Sequence, residues 1–222
     1  MGCPWSKQHK THSRNEQTQV PLVNGSTGHN CPYYMTENGL AASHSMQKDI
    51  DPRLPFNKQQ IFKLLQSWRG IKRNMSEAGV EMFAQLFKTS SHLQTMFQGF
   101  KDIRSDDELR SNEALEYHAT LVMTTLDDAI THIDNYDFVK QLLSKTGASH
   151  VKFAGFKSTN FLAIKEPFLE AVRVTLGDRY TENMQNIYTI AIIFILETLK
   201  QGMEEALEKA GSSEVAQGNI RV

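Results

Sequence analysis

The chain has 222 residues, enough for one domain with tails. Its formal net charge is -1, which gives no broad attraction to nucleic acid. Only two cysteines occur, Cys3 and Cys31, both outside the helical region, so a reducing, intracellular compartment is expected. Nine Met and twelve Phe are many for this length, and both residue types fill irregular apolar cavities well.

Residues 1–54 are polar and lack periodicity, with turn-forming Asn24-Gly25 and Asn38-Gly39. They read as a disordered arm closed by Pro52 and Pro55. No apolar leader segment precedes them, so no secretory signal is expected. A first helix is predicted from Asn57 to Ile71, with Ile61, Leu64, Leu65, Trp68 and Ile71 on one face and capping-box spacing between Asn57 and Gln60. A second opens at Ser76 and carries Val80, Phe83, Ala84 and Phe87. A turn through Leu93 to Phe97 follows, then a capping pair, Ser105 and Glu108. A long helix is predicted over 111–133 and another from Tyr136 to His150. Ser158 or Thr159 is expected to cap the next helix, with Pro167 as a kink and Gly177 as its end. Thr181 starts the last, through Met203. Residues 204–222 read as a flexible tail, leaving a domain over 55–203. The longest apolar run, Ile190 to Leu196, falls far short of the roughly 20 residues a membrane span needs. No strand pattern competes, so the class is all-α, with helices crossing steeply around a pocket.

Two histidines stand out within this helical pattern. His118 sits in the apolar stripe Leu115, Ala119, Val122, Met123, Leu126, Ala129 and Ile130, and His150 ends its own segment. A lone His on an apolar face is usually a hydrogen-bonded core residue. Two imidazoles facing one apolar space suit a metal held inside a planar apolar cofactor, the way haem iron is carried. No Asp or Glu cluster beside them points to hydrolysis. Cys31 with His29 and His44 matches no zinc spacing.

Over about residues 56–203 the chain resembles a globin, a three-over-three fold of about eight helices around haem. The resemblance rests on Leu86-Phe87-Lys88, Phe97-Gln98-Gly99-Phe100, the segment from Glu116 to Val122, and Ser149-His150-Val151-Lys152, in globin order and spacing. It implies that Phe97 stacks on the haem, that His118 is the distal histidine and that Val122 is the apolar residue one turn later. It implies His150 as the proximal iron ligand, with Ser149 or a backbone carbonyl orienting its ring. Phe83, Phe156, Phe161 and Ile164 would line the pocket. The implied cofactor is haem b; the implied small ligands are oxygen, carbon monoxide, nitric oxide or nitrite. Leu121 stands where many globins hold a haem propionate with Lys or Arg, and Ala154 where another partner often lies. Lys101 or Lys152 is available instead.

Met1-Gly2-Cys3-Pro4-Trp5-Ser6 matches an acylation pattern, with Gly2 for myristate and Cys3 for palmitate. A globin with such an arm resembles globin X, a membrane-associated relative of neuroglobin that is typically six-coordinate, with both histidines on the iron. A cytoplasmic-face plasma-membrane location and an electron-donating partner follow from that resemblance, together with gas binding or redox chemistry such as electron transfer, nitrite reduction or protection of lipid from oxidation. Two alternatives remain open at this point: a haem-dependent enzyme such as a nitrite reductase, and a haem-free helical adaptor recruited to membrane by acylation.

Overall fold

A computed structural model describes residues 49–218, with side chains as far as residue 212. Gly2, Cys3 and Cys31 lie outside the described residues. The elements are α1 (Lys58–Ile71), α2 (Met75–Thr89), α3 (Ser91–Gln94), α4 (Asp106–Arg110), α5 (Glu113–Thr131), α6 (Tyr136–Ser149), α7 (Lys165–Leu176) and α8 (Glu182–Gly218). Tight 3₁₀ segments precede α2, follow α6 and lead into α7. Among the described residues there is no strand, and no helix is long and apolar enough to cross a membrane.

The helix starts follow from side-chain oxygens that satisfy otherwise free backbone N–H groups. Asn57 caps α1 in a full capping box: its Oδ1 accepts from the Gln60 N–H, and the Gln60 Oε1 accepts from the Asn57 N–H, each at 2.9 Å. Ser105 caps α4 through the Glu108 N–H. Asn112 caps α5: its amide oxygen accepts from both the Ala114 and Leu115 N–H groups. Ser76 does not cap α2; its hydroxyl lies 3.3 Å from a Glu116 carboxylate oxygen. Ser158 does not cap either, and donates instead to Glu204 at 2.8 Å.

Three boundaries differ from expectation. Residues 50–54, read as part of the arm, pack on the domain: Leu54 is buried, and Arg53 donates to Asp137 at 2.8 Å while lying over the Tyr136 ring. Leu54 is an apolar residue with a core to cover, so the polar composition of the arm misleads there. Pro167 does not kink its helix. It is the third residue of α7, where its missing N–H costs nothing. The last helix does not stop at Met203 but continues to Gly218, because Glu204 to Lys209 are mostly strong helix formers with no breaker among them.

The core threads all the major helices. α2 packs against α5 and α7, and α6 against α8. Buried Leu64 and Trp68 of α1, Leu115 and Met123 of α5, and Tyr188 and Ile192 of α8 belong to one apolar cluster. Polar contacts cross it: the Trp68 Nε1–H donates to Asp127 Oδ1 at 2.9 Å, and the Ser67 and Tyr188 hydroxyls meet at 2.9 Å. Burial alone would raise the Asp127 carboxyl pKa, but Lys72, Trp68 and Thr131 all donate to it, and the net shift is downward.

The α6–α8 contact is the tightest. A side chain on Gly147 would overlap the Leu199 carbonyl oxygen, and one on Gly202 would overlap the backbone of Ser144. Backbone atoms cannot swing aside, so both positions require the bare glycine. Gly147→Ala and Gly202→Ala are each expected to lower stability by about 1–3 kcal/mol in denaturant unfolding. Gly211→Ala, on open helix surface, should instead raise it by about 0.5–1 kcal/mol. Unchanged stability in Gly147→Ala would mean that α6 lifts from α8 without cost.

Candidate functional site

His118 projects from α5 beside the buried stripe into an aromatic nest. Its ring centroid lies 4.9 Å from Phe97 and 5.1 Å from Phe83. Phe97 in turn stacks on Phe100 at 4.8 Å and meets Phe87 at 5.6 Å. Neither nitrogen of His118 has a hydrogen-bond partner among the described residues. Tyr117, its neighbour, is 68% exposed and points away, as helix geometry requires.

His150 sits at the end of α6. Its ring lies 4.8 Å from Phe161, 5.2 Å from Phe156 and 5.7 Å from Phe153. Its Nδ1 lies 2.8 Å from the Thr146 carbonyl oxygen. A carbonyl can only accept, so Nδ1 carries the proton and Nε2 keeps its lone pair. The source of that acceptor is local. At the helix end the His150 backbone N–H turns to Gly147 rather than Thr146, which frees the Thr146 oxygen from its usual partner four residues on. Ser149 does not orient His150; its hydroxyl donates to the same Thr146 oxygen at 2.7 Å.

Both rings are held neutral. Burial pushes the His118 pKa down to about 4, and the nearby His150 pushes it the same way. Burial also lowers that of His150, against an opposing contribution from the Thr146 carbonyl. Two neutral imidazoles within electrostatic reach, each walled by aromatic rings and one with a defined lone pair, form a donor set that fits haem iron.

The sequence profile of the globin family matches residues 80–199. The chain belongs to the globin family. It is 26% identical over 136 residues to neuroglobin of Chaenocephalus aceratus, covering 61% of this chain and 85% of that protein. It is 27% identical over 130 residues to neuroglobin-1 of Oncorhynchus mykiss, covering 57% and 81%. Among solved structures it is similar to a hexacoordinated haem protein from an anhydrobiotic tardigrade, at 34% identity and a TM-score of 0.67, covering 69% of this chain and 99% of that one. Haemoglobin of the botfly Gasterophilus intestinalis, at 20% identity and a TM-score of 0.60, covering 67% and 99%, shares the fold.

In this globin the expected pocket residues fall into two groups. Phe83 and Phe97 gather around His118, and Phe156 and Phe161 around His150. Val122 and Ile164 are partly buried against the core. Sequence reasoning noted Phe87 and Phe100 without giving them a pocket role, which they have in backing Phe97, and it missed Phe153, whose ring faces His150. It also missed Thr146, although the four-residue spacing before a helix-ending His is a readable signal. A surface groove of about 640 Å³ beside Arg53, Tyr136 and Phe194 includes neither histidine.

The pH dependence of the haem-free globin follows from His118. Its folded-state pKa of about 4 lies below the ordinary 6.5, so the unfolded chain takes up the proton first. Stability from burying the neutral ring is full above about pH 6.5 and is lost as pH falls toward 4. Urea unfolding of the haem-free protein should therefore weaken across this window, and less so in His118→Leu. Equal pH slopes would show that the ring is solvated.

Proposed function

We propose that this globin binds haem b with His150 as the fixed iron ligand and His118 as an exchangeable sixth ligand. The observation that carries it is the asymmetry of the two imidazoles. His150 is held through Nδ1 by the Thr146 carbonyl, which directs Nε2 outward, whereas His118 is packed between Phe83 and Phe97 with no hydrogen bond to release. Haem iron, when bound, supplies a centre that takes a small ligand reversibly and changes oxidation state. Phe97, Val122, Phe156, Phe161 and Ile164 supply apolar walls and exclude water. The resemblance to neuroglobins and to a hexacoordinated haem protein supports the six-coordinate reading.

Oxygen, carbon monoxide, nitric oxide or nitrite then competes with His118, and apparent affinity falls by the fraction of time His118 is away. Two neutral imidazoles also keep the geometry similar in both oxidation states, which favours electron transfer with a reductase partner. In reconstitution, His150→Ala should lose most stable haem binding. His118→Ala should keep haem and bind carbon monoxide faster by roughly tenfold or more. Full haem retention in His150→Ala would remove this residue from the role.

The arm adds location to the proposal. Gly2 takes myristate and Cys3 palmitate, tethering the globin to the cytoplasmic face of the plasma membrane, as in globin X. One acyl chain gives marginal, reversible attachment, and two give stable residence. Lys7, Lys10 and Arg14 add on the order of 1 kcal/mol each at an anionic surface. A tether suits redox work near lipid better than bulk oxygen carriage. Membrane fractionation in animal cells checks it: Gly2→Ala should become cytosolic and Cys3→Ser partly soluble. Gly2→Ala as membrane-bound as wild type would place the anchor elsewhere.

A further inference from the structure

Haem carries two carboxylates, and a dry pocket leaves them at its mouth, where they need water or a cation. The positions that many globins use for that cation are apolar here: Leu121, 49% exposed, and Ala154, also exposed. The proximal edge offers another. Lys152 lies in the 3₁₀ turn that begins at His150. Its Nζ sits 5.1 Å from the centroid of the Phe153 ring, and that ring meets His150 at 5.7 Å. The ammonium is thus carried on an aromatic face that borders the iron-ligand candidate. No carboxylate among the described residues pairs with Lys152 or with Lys101, whereas Lys58, Lys72, Lys88, Lys165 and Lys200 each have at least one. Its positive charge also reaches His150, lowering that ring's pKa as a lesser contribution beside burial.

We propose that Lys152 holds a haem propionate, replacing the cation that Leu121 and Ala154 do not supply. This rests on the haem reading above. Phe153 keeps the lysine stem over the proximal edge, and the exposed ammonium remains hydrated, so the pair is a surface ion pair of modest strength, screened by salt. Lys152 is a positioning residue for the cofactor, and its effect belongs to haem retention.

The test is haem release from the reconstituted full chain to an excess of a haem-free scavenger globin. Wild type, Lys152→Met and Lys101→Met are each loaded with protohaem or with its dimethyl ester, whose propionates carry no charge. Methionine keeps the apolar contact with Phe153. With protohaem at low salt, Lys152→Met should release about threefold faster than wild type, and the difference should shrink at high salt. With the dimethyl ester the two should release alike, and Lys101→Met should match wild type with both haems. The proposal is overturned if Lys152→Met is no faster, if it is equally faster with both haems, or if Lys101→Met carries the effect. A wild type that binds neither haem would instead overturn the haem reading itself.

Discussion

One hydrogen bond orders the His150 end of the candidate site: the Nδ1–H of His150 on the carbonyl of Thr146. It fixes the tautomer, aims Nε2 away from the helix and restricts rotation of the ring. It exists because α6 tightens into a 3₁₀ turn at His150 and leaves that carbonyl without its backbone donor. The helix that presents it is itself anchored, since Gly147, one residue after Thr146, lies against the backbone of Leu199 in α8. A shift of α6 would therefore move the backbone contact and the histidine together.

The surroundings of His118 are built differently. His118 is enclosed by Phe83 and Phe97, and these are backed by Phe87 and Phe100, so its position depends on packing alone. Packing without a hydrogen bond leaves a partly buried, neutral ring with no polar contact to break if it moves. In the proposed function this difference sets the division of labour. If the open arrangement were populated at about 1%, apparent affinity for an external ligand would fall about 100-fold. Ligand binding would then respond to anything that loosens the Phe83 and Phe97 nest.

The helices were legible because their signals are local. Asn57 with Gln60, Ser105 with Glu108, and the apolar stripe of α5 can be read from spacing, and each is present in the fold. The two histidines were legible through their order relative to Phe97 and Val122. What escaped were choices between local competitors and contacts distant in sequence. The helix expected from 111 starts at Glu113 instead, because the Asn112 amide caps two N–H groups. Ser158 spends its hydroxyl on Glu204, 46 residues away, and not on its own helix. Of the two expected partners for the His150 ring, Ser149 or a backbone carbonyl, the structure shows the carbonyl, that of Thr146, and Ser149 donates to the same oxygen. The extension of α8 beyond Met203 was missed because composition near a chain end resembles a tail even where the residues favour helix.

In the proposed function the fixed His150 ring and the packed His118 ring both bind the iron, which the absorption spectrum of the ferrous, ligand-free protein at neutral pH reads directly. Sharp, split low-spin bands are expected, since both neutral imidazoles would then bind. A high-spin spectrum would contradict this, because His118 would then stand beside the iron without binding it.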